Sequence, residues 1–115
     1  MRIAGIGCRA GAPPEALLDA LARAEAQGGP VAALAGIALR ATELRALGRP
    51  LHLVAVAGIA TPSRSPRVLA LHGTGSVAEA AALAACGAGA RIVVARVTSR
   101  CGRATAAIAT TGDHR

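Results

Sequence analysis

The chain has 115 residues and a formal charge of +7, and its hydrophobic fraction of 53% includes no Phe, Trp or Tyr. That length supports one domain with its own core, and the lack of both a long apolar run and a signal peptide predicts a soluble, cytoplasmic protein without a membrane partner. Without aromatic side chains to stack on bases, and with its arginines scattered, the chain is a poor candidate for nucleic acid, so a polycarboxylate or phosphorylated small molecule is at least as good a partner.

The first predicted elements are a strand, a glycine-rich loop and a helix. Residues 2–6 have the apolar pattern of a buried strand, and residues 5–11 are predicted to form the loop. The helix opens at Pro13-Pro14-Glu15, stops at Gly28-Gly29-Pro30, and is expected to place three leucines on one face, Leu17, Leu18 and Leu21. This order resembles the opening of a dinucleotide fold, but the GxGxxxG spacing is a weak nucleotide signal.

Two further strands are predicted on either side of a short helix in the middle of the chain. The strands cover residues 31–34 and 51–54, and Gly48 and Pro50 close the helix at residues 42–47. His52 is expected to point outward, because successive strand residues alternate between the two faces.

The next stretch, residues 60–66, is predicted to be a loop by its composition. Ser65 before Pro66 is typical of an N-cap followed by proline at the first helical position, although the branched side chains of residues 67–71 also fit a strand. A strand would make Gly73-x-Gly75-x-x-Ala78 a match to the GxGxxA dinucleotide motif. We favour the helix, which makes that match accidental.

Another helix is predicted to begin at Ser76 and to end at Gly87. Ser76 and Glu79 have the spacing of a capping box, in which each side chain accepts a hydrogen bond from a backbone N–H of the first turn. The preceding Gly73-Thr74-Gly75 places flexible backbone N–H groups at the positive end of the helix dipole, which is a common anion-binding arrangement. Capping alone explains the same pattern, so both interpretations stay open.

The clearest strand covers residues 91–97, and a second apolar run covers residues 104–109. They are predicted to pair as an antiparallel hairpin, with residues 110–115 as a frayed tail. Together the elements predict an α/β fold, a single small domain over residues 1–115 with a mixed sheet, flanking helices and a C-terminal β-hairpin. The 31 alanines bury little surface per residue, which favours modest stability or a homodimer.

The three cysteines, Cys8, Cys86 and Cys101, have no metal-ligand spacing and are predicted to be free thiols. We therefore predict no metal and no cofactor. Cys86 is interpreted as a small core residue. Cys8 lies in the glycine-rich loop ahead of a helix, where a lowered thiol pKa is one expectation.

Four segments resemble, in the right order, the motifs of the CobE family, which is similar to the C-terminal domain of CbiG. The segments are Gly5-Ile6-Gly7-Cys8-Arg9, Thr61-Pro62-Ser63, and residues 73–83 and 102–109. They extend over nearly the whole chain. The resemblance implies a small mixed sheet, the helix at residues 67–71 and a place in cobalamin biosynthesis.

The resemblance also bears on enzymatic activity. CbiG-like proteins are associated with opening the lactone ring of a cobalt-precorrin, so an enzyme here would be similar to a cobalt-precorrin 5A hydrolase. Because this chain begins directly at the C-terminal-type domain and not with the N-terminal region of CbiG, the resemblance alone does not carry that activity over. Arg40 and Glu43 stand where the family often has a lysine before an acidic residue, and Ala106 where a branched residue is common.

The leading hypothesis is a cobalamin biosynthesis protein that binds or helps to process a polycarboxylate corrin intermediate. Arginine and backbone donors suit the carboxylates on the rim of such a molecule. One cleft is expected to contain the ligand-binding residues Gly7, Cys8, Arg9, Ser63, Gly73, Thr74, Gly75 and Ser76. Glu79 is the candidate proton-transferring catalytic group, with capping as its other role.

Two alternatives belong to other classes of protein. One is a dinucleotide- or phosphate-binding domain that uses Gly73-x-Gly75-x-x-Ala78, with Arg96 in the place of an NADP-selective arginine. The other is a non-catalytic partner subunit that delivers or retains an intermediate for other corrin-pathway enzymes.

Overall fold

The computed structural model describes residues 1–111, which form a five-stranded mixed sheet with helices on both faces. The strands are β1 (Arg2–Cys8), β2 (Ala33–Gly36), β3 (Leu51–Leu53), β4 (Arg91–Thr98) and β5 (Ala104–Thr110). The helices are α1 (Pro14–Gly28), α2 (Ala41–Arg45), α3 (Pro66–His72) and α4 (Val77–Cys86), and a 3₁₀ turn, Ala38–Arg40, leads into α2. The predicted α/β fold is confirmed.

The sheet has the order β3-β2-β1-β5-β4, so β1 lies at its centre. β1 is parallel to β2 and antiparallel to β5, and β2 is parallel to β3. β4 and β5 pair as the antiparallel C-terminal hairpin that the sequence predicts. The carboxyl ends of β1 and β2 therefore lie at the same edge of the sheet, beside the start of β5.

Alternation along β1 divides the interior into two cores. Ala4 and Ile6 pack with the buried side of α1 and with Leu44 of α2 on one face. Ile3 packs with Ala80 and Ala81 of α4 on the other face. The result is a three-layer arrangement in which a helix covers each face of the sheet.

Small residues allow α4 to lie directly on β1. A Cβ added at Gly5 would overlap the Ala78 carbonyl and come within 2.7 Å of the Ala82 nitrogen, both in the α4 backbone. No larger residue fits here without moving the helix. This close packing holds the N-terminus of α4 beside the carboxyl end of β1.

Several boundaries differ from prediction for local reasons. β1 extends to Cys8, so Gly7 and Cys8 belong to the strand and not to a loop. β2 begins at Ala33 and not at Val31, because the Val31 N–H donates to the Glu25 carboxylate at 3.0 Å and leaves the ladder. The second helix is α2 (Ala41–Arg45), which begins one residue before the predicted range of 42–47 and ends two residues before its end.

Some side chains and the end of the chain also differ from prediction. Leu17 and Leu21 are buried, whereas Leu18, which was expected on the same face, is 47% exposed. Thr110 was expected in the frayed tail but is the last residue of β5, where its hydroxyl donates to the Met1 carbonyl at 3.0 Å. Of the rest of that predicted tail, residue 111 follows β5 without regular structure, and residues 112–115 lie outside the described residues.

No single helix within residues 1–111 is long and apolar enough to cross a membrane. By length and composition only, α3 and α4 pass such a test together, as a pair bent by 54°.

Candidate functional site

A cleft of about 600 Å³ opens at the carboxyl ends of β1 and β2. Its walls come from the last residues of β1, from α3, from the start of α4 and from the turn between β4 and β5. In open α/β sheets, ligands bind outside the carboxyl ends of the strands. The location and the volume are both those of a small-molecule site.

The charges on the cleft wall have one sign. Among the described residues that line it, none is acidic, and six carry a basic side chain: Arg9, Arg40, Arg67, His72, Arg96 and Arg103. The ion pairs found within residues 1–111 join Asp19 with Arg23 and Glu25 with Arg49, and neither includes a cleft arginine. Because the guanidinium fork matches a carboxylate or phosphate, this wall is suited to an anionic ligand.

A backbone hydrogen bond holds two of the cleft arginines, Arg9 and Arg103, side by side. The Arg9 N–H donates to the Arg103 carbonyl at 3.1 Å, which continues the pairing of β1 with β5. The β4–β5 turn is further held by Asp19, which accepts from the Arg100 N–H at 2.7 Å. That hydrogen bond is the main reason why the pKa of Asp19 is lowered. Asp19 thus orders the turn from outside the cleft.

A second acidic residue orders the chain after β1. Glu43 accepts a hydrogen bond from the Gly11 N–H at 2.8 Å, and this contact is the main cause of its lowered pKa. Arg40 lies nearby and donates from Nε to the Cys8 carbonyl at 3.0 Å. The end of β1 is therefore held from two directions.

The Cys8 thiol lines the cleft but is not activated. Burial raises its pKa to about 11, with a further rise from the negative charge of Glu43 that Arg40 partly opposes. The expectation of a lowered pKa was wrong, because Cys8 lies within β1 and is partly desolvated. Within residues 1–111 no three His, Cys, Asp or Glu side chains lie close enough together to hold a metal ion.

Cys8 and Cys101 are expected to differ in their reaction with iodoacetamide. A rise in the Cys8 pKa from 9.0 to about 11 lowers its thiolate fraction at pH 8 by about a hundredfold. The exposed Cys101 has a lowered pKa, mainly through its contact with Ser99. Peptide mass spectrometry at pH 8 should show Cys8 alkylated at least about tenfold more slowly than Cys101. The two rates should converge in urea, and equal rates in the folded protein would contradict this account.

Glu79 makes only half of the predicted capping box. Its N–H donates to the Ser76 hydroxyl at 3.2 Å, as expected. Its carboxylate does not return to Ser76 but accepts from the Ser63 N–H at 2.8 Å, the Ser63 hydroxyl at 2.7 Å and the Arg96 N–H at 2.8 Å. The fully buried Glu79 therefore joins the 54–65 segment to β4, and it does not line the cleft.

An irregularity in β4 explains the third contact of Glu79. The register of β4 against β5 shifts between Val94 and Val97, so Arg96 has no partner residue in the ladder. Its N–H is then available to the Glu79 carboxylate, while its side chain lines the cleft. Bulges of this kind change the direction of a side chain next to functional sites, as for Arg96 here.

The comparison with protein families gives a match over nearly the whole chain. The family model described as the C-terminus of cobalamin synthesis protein G covers residues 2–109. The chain belongs to this family. A comparison with curated proteins found no match.

Two solved structures of cobalamin biosynthesis proteins are similar to this one. CobE, a protein from the cobalamin (vitamin B12) biosynthetic pathway, is 34% identical with a TM-score of 0.79, over 100% of this chain and 93% of that chain. Cobalamin biosynthesis protein chiG from Agrobacterium tumefaciens is 38% identical with a TM-score of 0.70, over 98% of this chain and 100% of that chain. The resemblance found in the sequence is confirmed.

The structure of this family member places seven of the nine predicted site residues in two separate cavities. The cleft contains Gly7, Cys8, Arg9 and Ser76. A smaller cavity of about 250 Å³ contains Gly73, Thr74 and Gly75, together with Arg64. Ser63 and Glu79 line neither of them and contact each other.

Four arginines of the cleft were not among the predicted binding residues, namely Arg40, Arg67, Arg96 and Arg103. In the sequence, Arg40 marks only a departure from the family pattern, and Arg96 stands only in the place of an NADP-selective arginine. Their positions far apart in sequence gave no local signal that they share one cavity.

Gly75 has a packing role that the sequence did not show. Its φ is not positive, whereas that of Gly73 is +72°. A Cβ at Gly75 would lie 2.6 Å from the Ser63 carbonyl oxygen and 2.9 Å from the Thr61 hydroxyl. The space next to Gly75 is therefore filled by the protein's own loop.

The dinucleotide alternative required a strand at residues 67–71. This stretch is helical in α3, and the Ser65 hydroxyl accepts from the Val68 N–H at its N-terminus. The GxGxxA spacing therefore connects two helices and lacks the strand that a dinucleotide-binding turn requires.

Proposed function

We propose that this protein binds a polycarboxylate corrin intermediate of cobalamin biosynthesis in the cleft at the end of β1. The observation that carries the proposal is a lining with five arginines and, among the described residues, no acidic side chain. Membership of a cobalamin synthesis family supports it. Corrin precursors have acetate and propionate carboxylates around their rim, which are partners for guanidinium groups.

The arginines enter the cleft from different elements and so suit carboxylates that are spread around a ring. Arg9 directly follows β1, and Arg103 lies in the turn between β4 and β5. Arg96 belongs to β4 and Arg67 to α3. Ser76 and Val77 add the N-terminus of α4, whose first backbone N–H groups have no acceptor within the helix. A ligand with carboxylates on several sides can contact donors on each wall.

The cleft favours binding and presentation of an intermediate over a hydrolytic step. Glu79, the candidate proton-transferring group, is buried with its carboxylate bonded to three donors. The Cys8 thiol is protonated at neutral pH because burial raises its pKa to about 11. We therefore propose a protein that holds the intermediate for other enzymes of the pathway, which are its expected macromolecular partners.

Titration of the purified protein with uroporphyrin, a tetrapyrrole with acetate and propionate side chains, tests this function. A saturable change in the tetrapyrrole absorbance is expected, and its affinity should fall as ionic strength rises because charge pairs are screened. A precorrin-type polycarboxylate is the second ligand. If neither ligand bound at concentrations up to millimolar, the proposal would be ruled out.

A further inference from the structure

The helix α3 covers almost nothing in the protein itself. None of its seven residues is buried, although four of them are Val68, Leu69, Ala70 and Leu71. Leu71 is 65% exposed and Leu69 48% exposed. Helices of globular proteins bury an apolar face, and an apolar surface left uncovered commonly marks a binding site.

Only the ends of α3 are attached to neighbouring segments by backbone hydrogen bonds. The Ser65 N–H donates to the Gly75 carbonyl at 2.9 Å, and the Gly58 N–H donates to the Gly73 carbonyl at 2.8 Å. Both bonds lie outside the helix, and the Leu71 side chain is 65% exposed, so Leu71 contributes little to holding the helix in place. Substitution of Leu71 should therefore leave the stability of the protein nearly unchanged.

Two of the four apolar residues of α3 line the cleft, and a third, Leu69, lines the smaller cavity. Val68 and Leu71 line the cleft together with Arg67 and His72 from the same helix. The remaining cleft arginines, Arg9, Arg40, Arg96 and Arg103, all belong to other elements. The cleft thus has one wall, α3, that presents the half-buried Val68 and the exposed Leu71 beside basic side chains, and other walls that carry arginines without such aliphatic side chains from a helix.

We infer that α3 recognises the bare ring face of the bound molecule through Val68 and Leu71, while arginines from the other walls recognise its carboxylates. This inference rests on the proposed function and adds the source of its specificity. A tetrapyrrole has a broad apolar ring face as well as a charged rim, whereas a small polycarboxylate has only the charges. Contact with Val68 and Leu71 therefore separates a macrocycle from other polyanions.

The test compares two ligands in two variants. Uroporphyrin has both a macrocycle and carboxylates, and mellitate, benzene carrying carboxylates at every carbon, has the charges without the large ring. Leu71→Gln is expected to weaken uroporphyrin binding by about five- to tenfold, since it removes an aliphatic side chain that the ligand covers. Mellitate affinity and the urea midpoint of unfolding should not change. Leu18→Gln, at a leucine on α1 that is 47% exposed and outside the cleft, is the matched control.

Amide hydrogen exchange adds a readout of α3 in the unaltered protein. Exchange in residues 66–72 is expected to slow with saturating uroporphyrin and not with saturating mellitate. Unchanged exchange with uroporphyrin, or wild-type uroporphyrin affinity in Leu71→Gln, would overturn the inference while leaving the proposed function intact. An equal loss for both ligands would also overturn it. Failure of the wild-type protein to bind either ligand would remove the proposed function and the inference with it.

Discussion

Replacement of Glu79 by alanine is expected to lower the free energy of unfolding by about 3–5 kcal/mol, because buried donors that lose their acceptor each cost about 1–3 kcal/mol. Three donors converge on this carboxylate, the N–H and hydroxyl of Ser63 and the N–H of Arg96. The Ser63 hydroxyl can rotate to another acceptor, but the two backbone N–H groups cannot. Loss of Glu79 therefore leaves two partly buried backbone N–H groups without their acceptor.

Two further variants show whether the effect belongs to the carboxylate of Glu79. Glu79→Gln keeps the volume but presents an NH₂ group to backbone donors, so an intermediate loss of about 1.5–3 kcal/mol is expected. Glu15→Ala is the matched control, because Glu15 is also an acidic residue in a first helical turn but is exposed. It should change stability by no more than about 1 kcal/mol.

Urea unfolding of the three variants measures these differences. The expected order of stability loss is Glu79→Ala, then Glu79→Gln, then Glu15→Ala. If Glu79→Ala cost no more than Glu15→Ala, the hydrogen bonds to Ser63 and Arg96 would not hold the loop to β4.

Simultaneous replacement of Arg9 and Arg103 by alanine is expected to weaken uroporphyrin binding by at least about a hundredfold. Each hydrogen bond to a charged group contributes about 1.5–3 kcal/mol. Because both side chains are exposed, the contribution of each arginine is expected near the lower end of this range, and the two together account for the hundredfold loss. The backbone bond between the two residues survives in alanine, so the fold should be retained. Thermal unfolding of the free variant checks that retention.

A second double variant separates the cleft from net charge. Arg2 and Arg45 are exposed and lie outside the cleft, so Arg2→Ala with Arg45→Ala removes the same charge. Its affinity for uroporphyrin should stay within a few-fold of the wild type, since only the long-range attraction is reduced. An equal loss in the two double variants would assign binding to overall charge and not to the cleft.

Features that depend on neighbouring residues were predictable from the sequence. The Ser65-Pro66 start of α3 and the Ser76 cap of α4 are confirmed, because a helix cap is formed within one turn. The end of α4 at Gly87 is confirmed for the same reason, and Gly87 has φ +88°. The C-terminal hairpin followed from two strongly apolar runs separated by a short turn.

Features that depend on tertiary packing were not predictable in the same way. The carboxylate of Glu79 prefers Ser63 and Arg96, which lie 16 and 17 residues away, over the cap position three residues away. That choice depends on the irregularity of β4, which no local pattern indicates. Arginines distant in sequence likewise meet in the cleft only after β1, α3 and the β4–β5 turn have come together.

A crystal structure of the protein with a bound corrin polycarboxylate tests the central claim most directly. The account predicts ligand carboxylates within hydrogen-bond distance of the guanidinium groups of Arg9 and Arg103, with the ring face against Val68 and Leu71 of α3. Carboxylates held instead in the smaller cavity beside Gly73, Thr74 and Gly75, with the cleft free of ligand, would contradict it.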